Sequence, residues 1–199
     1  MAISLIPITD SFSFADNTKW SNTSLPSTNV IGGQLNITPD SSYDGWVSVN
    51  SFDFTGKGIL LQAVAGPTDP TGGAAGAQGY ISVGDSASSG NWFQMGFSAD
   101  ASGVVCNEND SNTKTDGPTA AYQNSMWLRM HESSGVWYWD YAYDGINWIN
   151  LWSRNWAVAN GVTSMRVTLQ AGYYTGTPVG TATFDNLNIP LAPVAWLHG

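Results

Sequence analysis

Acid, base and nucleophilic chemistry has few residues to draw on in this chain of 199, which carries two glutamates, thirteen aspartates, two histidines and one cysteine. Hydrolysis of a glycosidic bond needs two carboxylates, about 5–5.5 Å or about 6.5–9.5 Å apart. Glu108-Asn109-Asp110 places two acids two residues apart, but the segment Glu108 to Gly117 is polar and rich in turn residues and reads as a loop. Glu132 falls at a hairpin turn, and Asp140 with Asp144 has no further partner pattern. Asp140 is expected to face Arg129 across a hairpin as a structural ion pair. His131 and His198 are isolated, and no Gly-x-Ser-x-Gly elbow occurs. Cys106 follows Val104 and Val105 and reads as a buried thiol. No catalytic residue is expected, and the protein is not expected to be an enzyme.

Binding has more to work with. The stretch Trp127 to Trp156 holds six of the ten tryptophans. Met126, Leu128 and Met130 alternate with Trp127, Arg129 and His131; after Ser133-Ser134-Gly135, Trp137, Trp139 and Tyr141 alternate with Tyr138, Asp140 and Ala142. Tyr143-Asp144-Gly145 makes a second turn before Trp148 and Trp152, so the stretch is a three-strand meander. Its register leaves two outcomes. A tight Ser133-Ser134 turn sets Met130 against Trp137 and Leu128 against Trp139, and the tryptophans join the core. A slip by one brings Trp127, Arg129, His131, Trp137, Trp139 and Tyr141 onto one face. Those six residues are the candidate carbohydrate-binding set, because flat rings stack on the C–H faces of pyranoses while charged groups hold hydroxyls.

The elements that must position these residues are strands. Ile3 to Ile8, Val30 to Thr38 with a Gly32-Gly33 turn, two stretches within Gly45 to Val64 around Thr55-Gly56-Lys57-Gly58, Tyr80 to Val83, Asn91 to Phe97, Gly103 to Cys106, Ser164 to Ala171 and Thr181 to Ile189 all carry strand patterns. About a dozen short strands, abundant glycine and no helical pattern predict an all-β chain, an antiparallel two-sheet β-sandwich of jelly-roll type. The Gly/Pro/Ala-rich stretch Ala65 to Gly79 is not a boundary, so residues 1–189 form one domain. Residues 190–199 form an irregular proline-containing tail whose Leu191, Val194, Trp196 and Leu197 are apolar enough to dock on the domain or on a neighbouring subunit.

A net charge of −9 with six basic residues excludes a phosphate-backbone partner, so no nucleic acid is expected. One cysteine excludes an internal disulfide. No apolar run approaches the roughly 20 residues of a membrane span. The start MAISLIPITD lacks the basic and apolar regions of a signal peptide, so a cytoplasmically made protein without classical export is expected.

Asp10-Ser-Phe-Ser with Lys19-Trp20, Gly32-Gly33-Gln34-Leu35, Trp127-Leu128-Arg129-Met130, Tyr141-Ala-Tyr-Asp144-Gly145-Ile-Asn-Trp148 and Phe184-Asp185-Asn186-Leu187 together resemble the concanavalin A-like lectin/glucanase superfamily, which includes laminin G-like jelly rolls. The resemblance covers nearly the whole chain up to about Pro190. It implies two stacked curved sheets, with carbohydrate commonly held on the concave face or rim loops. The family's laminarinase-like members carry Glu-x-Asp-x-Glu on one strand face; the match here, Glu108-Asn-Asp110-Ser-Asn112, lacks the last acid. Relatives of this fold often bind calcium, and oxygens at Asn107 to Asn112 or Asp69 are of the right kind, but no EF-hand spacing accompanies them, and neither cofactor nor metal is expected.

The expectation is therefore a non-catalytic, lectin-like carbohydrate-binding or adhesion module at a virion surface, such as a bacteriophage capsid decoration or tail protein. Its expected partners are a cell-surface glycan and, through the tail, itself as a homo-oligomer or other virion proteins. A purely structural oligomeric scaffold that binds no sugar is the alternative, and a glycoside hydrolase with unrecognised acids is the third.

Overall fold

The computed structural model describes residues 3–22, 25–68, 76–85, 90–99, 103–155 and 161–191, and among these there are fifteen strands and no helix. One sheet runs in the order β13 (Ile149–Asn155), β12 (Val136–Ala142), β11 (Met126–Ser133), β6 (Lys57–Ala65), β15 (Ala182–Asp185), β4 (Gln34–Ile37), β3 (Thr28–Ile31), with β1 (Ser4–Leu5) parallel to the start of β6. The other runs β10 (Thr113–Ala121), β9 (Gly103–Asp110), β8 (Trp92–Ser98), β7 (Gln78–Asp85), β14 (Met165–Gly172), β5 (Gly45–Ser48), β2 (Trp20–Ser21). The sheets stack as the expected antiparallel sandwich.

Alternation within each strand supplies the layer between them. Leu35, Ile37, Ile59, Leu61, Leu128 and Met130 come from the first sheet, and Ile81, Val83, Phe93, Met95, Val104, Val167 and Leu169 from the second. Two aromatic clusters fill the layer. Phe12, Trp20 and Trp46 have ring centroids 6.1–6.4 Å apart. Elsewhere Phe93 stacks on Trp137 at 4.1 Å, and Trp139 donates its indole N–H across the layer to the Gln94 carbonyl at 3.0 Å.

The phrases behind the family resemblance have visible jobs here. Asp10 is buried and accepts the Phe12 N–H and the Trp20 indole N–H, both at 2.7 Å, while its backbone pairs with Leu187. Gly32 and Gly33, at φ of 61° and 77°, form the two-residue turn between β3 and β4.

Glu108 to Gly117 is not the expected turn-rich loop but the end of β9 and the first half of β10. Being an edge strand, β10 has little to bury, so its threonines, Lys114 and Asp116 carry no alternation, and Pro118 sits at a register shift. The two stretches within Gly45 to Val64 are both strands, β5 and β6, and lie in opposite sheets. Trp156, Asp69 and the tail from Ala192 onward, with Val194, Trp196, Leu197 and His198, lie outside the described residues.

One side chain ties the chain's two ends to the central strand. Asn188 accepts the Leu60 N–H at 2.8 Å and donates to the Ile6 and Ile8 carbonyls at 3.1 and 2.8 Å, all in the interior. Asn188→Ala leaves an N–H and two carbonyls unpaired, at about 1–3 kcal/mol for a buried orphan. The expected loss is about 2–4 kcal/mol, read as a melting temperature lower by about 5–12 °C. A drop under about 2 °C in calorimetry would show that water replaces the amide there.

Candidate functional site

The hairpin register decides the fate of the six candidate residues. Ser134 and Gly135, at φ of 53° and 80°, make a tight turn, and Glu132 accepts the Gly135 N–H at 2.6 Å and also the Gly56 N–H of a neighbouring turn. Glu132 then pairs with Trp137, Met130 with Trp139 and Leu128 with Tyr141. The pairs are displaced by two residues from those expected for a tight turn, which keeps every side chain on the same face. Trp137 and Trp139 are fully buried between the sheets, and Tyr141 packs against the same core.

Trp127, Arg129 and His131 emerge on the opposite, outer face with Tyr138 and Asp140. The six residues therefore do not form one platform, and the single-face arrangement is corrected. Arg129 lines a hollow of about 530 Å³ with Tyr143, Asn147 and Trp148, but the trio is largely covered. Trp127 is buried against Leu60 and Ala142, with Leu5 and Trp148 beside it. Arg129 directs Nε and Nη2 at Asp140 Oδ2, at 3.0 and 2.7 Å, and Trp148 covers its guanidinium at 4.1 Å. His131 Nε2 lies 3.1 Å from the same oxygen, and its ring stacks on Tyr138 at 4.7 Å. Asn150 donates to the other Asp140 oxygen at 2.9 Å. The expected Arg129–Asp140 pair thus exists as the centre of a buried knot. Burial pushes the Asp140 carboxyl up, but bonds from His131, Asn150 and Arg129 and the guanidinium charge outweigh it and hold it below the ordinary aspartate value.

The outer face of the second sheet is different. There a cavity of about 790 Å³ is lined by Tyr43, Tyr80, Trp92, Gln94, Arg166 and Gln170, among others. A second lobe of about 420 Å³ shares Tyr80 and Lys114 with it and adds Asn107 and Asp116. The pairing registers arrange this face in cross-strand rows: Arg166, Gly84, Trp92, Asn109 and Lys114 in one, and Thr168, Ser82, Gln94, Asn107 and Asp116 in the next. These are the alternate partners of the core residues Val167, Val83, Phe93, Met95 and Cys106. Asn107 is 3% exposed, and among the described residues its Oδ1 has no hydrogen-bond partner.

Glu108 and Asp110 point the other way, in phase with the core residues Val104 and Cys106. Glu108 is held by Arg154 of β13 at 3.0 Å; burial raises its pKa, opposed by the Arg154 charge. The outward Asn107 and inward Glu108 do not converge on a common point. Among the described residues no three acidic, histidine or cysteine side chains gather in a metal-holding group. The groove residues went unread in the sequence, although Trp92, Gln94 and Gly96 occupy the polar phase of a strand whose other phase is Phe93, Met95 and Phe97.

Two stacked sheets, this strand order and a hollow on one outer face define a concanavalin A-like jelly-roll fold. No family profile matches the sequence, and no curated protein sequence does. The structure is similar to a mutant of the GH43 protein BlXynB from Bacillus licheniformis, with a TM-score of 0.68 and 16% identity over 90% of this chain and 38% of that one, so the chain spans well under half of that protein. It is similar to a variant of SCLam, a non-specific endo-β-1,3(4)-glucanase from family GH16, with a TM-score of 0.67 and 10% identity over 94% of this chain and 96% of that one. It is also similar to the CBM2 module of the evolved Dit of Lactobacillus casei BL23 phage J-1, with a TM-score of 0.62 and 8% identity over 93% of this chain and 94% of that one. Likeness at these identities establishes the fold.

The knot predicts a signature in acid. A carboxyl depressed in the folded state contributes stability above its unfolded pKa, and that contribution is lost as pH falls below about 4, through the folded value. Asp140→Asn should cost about 3 kcal/mol at pH 7, because Arg129 is left without its counter-charge, and the gap to wild type should narrow as the pH is taken to about 2. Urea unfolding across that range measures it; a gap independent of pH would contradict the ionic role.

Proposed function

We propose that the protein is a non-catalytic carbohydrate-binding module that holds a saccharide in the groove on the outer face of its seven-stranded sheet. The observation that carries this is the combination lining the groove. Trp92 with Tyr43, Tyr80 and Tyr174 offers ring faces for pyranose C–H surfaces, and Gln94, Gln170, Thr168 and Ser82 offer amides and hydroxyls for sugar hydroxyls. The knot around Arg129 holds the meander rigid on the far sheet rather than contacting ligand.

The likeness to a phage CBM2 module supports a virion setting, in which the module is made in the cytoplasm and meets a glycan on a cell surface. Assembly with itself or with other virion proteins belongs to the same reading.

The glucanase likeness supports a second reading, a glycoside hydrolase. Against it, the described groove residues include only two carboxylates, Asp85 and Asp116. They stand on β7 and β10, three strand spacings or about 14 Å apart, beyond the roughly 6.5–9.5 Å of an inverting pair.

Binding of the purified chain to a glycan array tests the proposal. At least one saccharide should bind, and Trp92→Ala should weaken it by about tenfold, the 1.4 kcal/mol of a central aromatic contact, with unchanged melting. Release of reducing sugar from β-glucans would replace this reading with the hydrolase. Absence of binding to every glycan at millimolar concentration would leave the structural scaffold.

A further inference from the structure

We infer that the row Arg166–Gly84–Trp92 is a subsite for a sugar residue carrying an anionic group, a carboxylate or a phosphate; this deepens the carbohydrate-binding proposal and rests on it. Gly84 is the central observation. It is the penultimate residue of β7, paired with Arg166 on one side and Trp92 on the other, and all three line the groove. A glycine in a strand interior costs about 0.5–1 kcal/mol relative to alanine, so it usually has a reason. Other glycines of this sheet have a steric one: a Cβ on Gly45 would come 2.0 Å from the Leu169 carbonyl oxygen, on Gly96 2.0 Å from that of Gly79, and on Gly79 2.5 Å from the Ala182 Cβ. At Gly84 the nearest atom would be the Trp92 Cβ at 3.5 Å, an ordinary contact, and its φ is not in the left-handed region. The fold does not require glycine there. What its bareness provides is a floor about 10 Å wide between the strand carrying Arg166 and the one carrying Trp92.

The charge at one edge of that floor is unusual for this molecule. In a chain with fifteen acids and six basic residues, Lys19, Lys114, Arg129 and Arg154 lie within ion-pair distance of a carboxylate, and Lys57 donates to the Asp53 carbonyl oxygen at 3.3 Å. Arg166 is exposed and has no such partner among the described residues. Asp85, the carboxylate lining the same lobe, follows Gly84 in the strand, so its Cβ alternates to the opposite side. Lys114 closes the far end of the row, with Asp116 2.8 Å away. A pyranose stacked on Trp92 over Gly84 puts a ring substituent within reach of the Arg166 fork, whose planar donors match a carboxylate or a phosphate in two parallel bonds. A neutral sugar leaves that fork unused.

Calorimetric titration of the full chain with three probes tests this: a neutral β-1,3-glucan oligosaccharide, an oligogalacturonate and a phosphomannan oligosaccharide. One anionic probe should bind at least about tenfold tighter than the neutral one, the equivalent of one charge-assisted pair, and the advantage should shrink between about 0.01 and about 0.5 M salt. Which anionic probe wins assigns carboxylate or phosphate. Arg166→Gln should erase the advantage, whereas Lys57→Gln, the same change of charge on the other sheet, should keep it. Gly84→Val should weaken the preferred anionic probe by about tenfold or more without lowering the melting temperature. Equal affinity for neutral and anionic probes, or an advantage that survives Arg166→Gln, overturns the subsite while leaving the carbohydrate-binding proposal standing. No binding by any probe on the array or in titration overturns both.

Discussion

A two-residue turn at Ser134 and Gly135 is the constraint on which the rest of this molecule depends. Side chains alternate along a strand, so a shift of one residue would exchange the whole contents of the two faces of the meander. The tight turn, held by the Glu132 carboxylate, sends Trp137 and Trp139 into the space between the sheets. There they meet Phe93 and the Gln94 carbonyl, and those contacts set the position of β8 in the opposite sheet. Core packing on one side of β8 thereby fixes where its other side places Trp92 and Gln94 along the groove.

The same alternation separates two kinds of polar chemistry. On the outer face of the first sheet, Arg129, His131 and Asn150 are spent on Asp140, with Trp148 lying over the guanidinium. Groups tied together in this way specify a structure, although His131 Nδ1 keeps no hydrogen-bond partner among the described residues. On the outer face of the second sheet, amides, hydroxyls and rings stand in rows around a hollow, with Arg166 exposed at its edge.

Much of the fold was legible in the sequence because hydrophobic alternation is strong wherever a strand has a face to bury. The meander, the Gly32-Gly33 turn and the strand Met165–Gly172 emerge in that way. β10 did not, since an edge strand with two wet faces has no alternation to read, and β5 and β6 carry nothing local to say that they join different sheets. The Arg129–Asp140 pair was legible because opposite charges faced each other in an aromatic hairpin. The groove was harder to see because its residues come from separate strands, β7, β8, β9 and β14, and gather only through pairing registers. Trp137 and Trp139 belong to the core, while the tryptophan of the groove, Trp92, stands alone in the polar phase of its strand.

Indole N–H resonances of the ten tryptophans offer the most direct measurement, recorded in a nitrogen-labelled sample during titration with a bound saccharide and assigned by single Trp→Phe variants. The account predicts that the Trp92 signal moves on saturation while those of Trp127, Trp137, Trp139 and Trp148 stay in place. Movement of Trp127 and Trp148 with Trp92 unchanged would contradict it and return the site to the outer face of the meander.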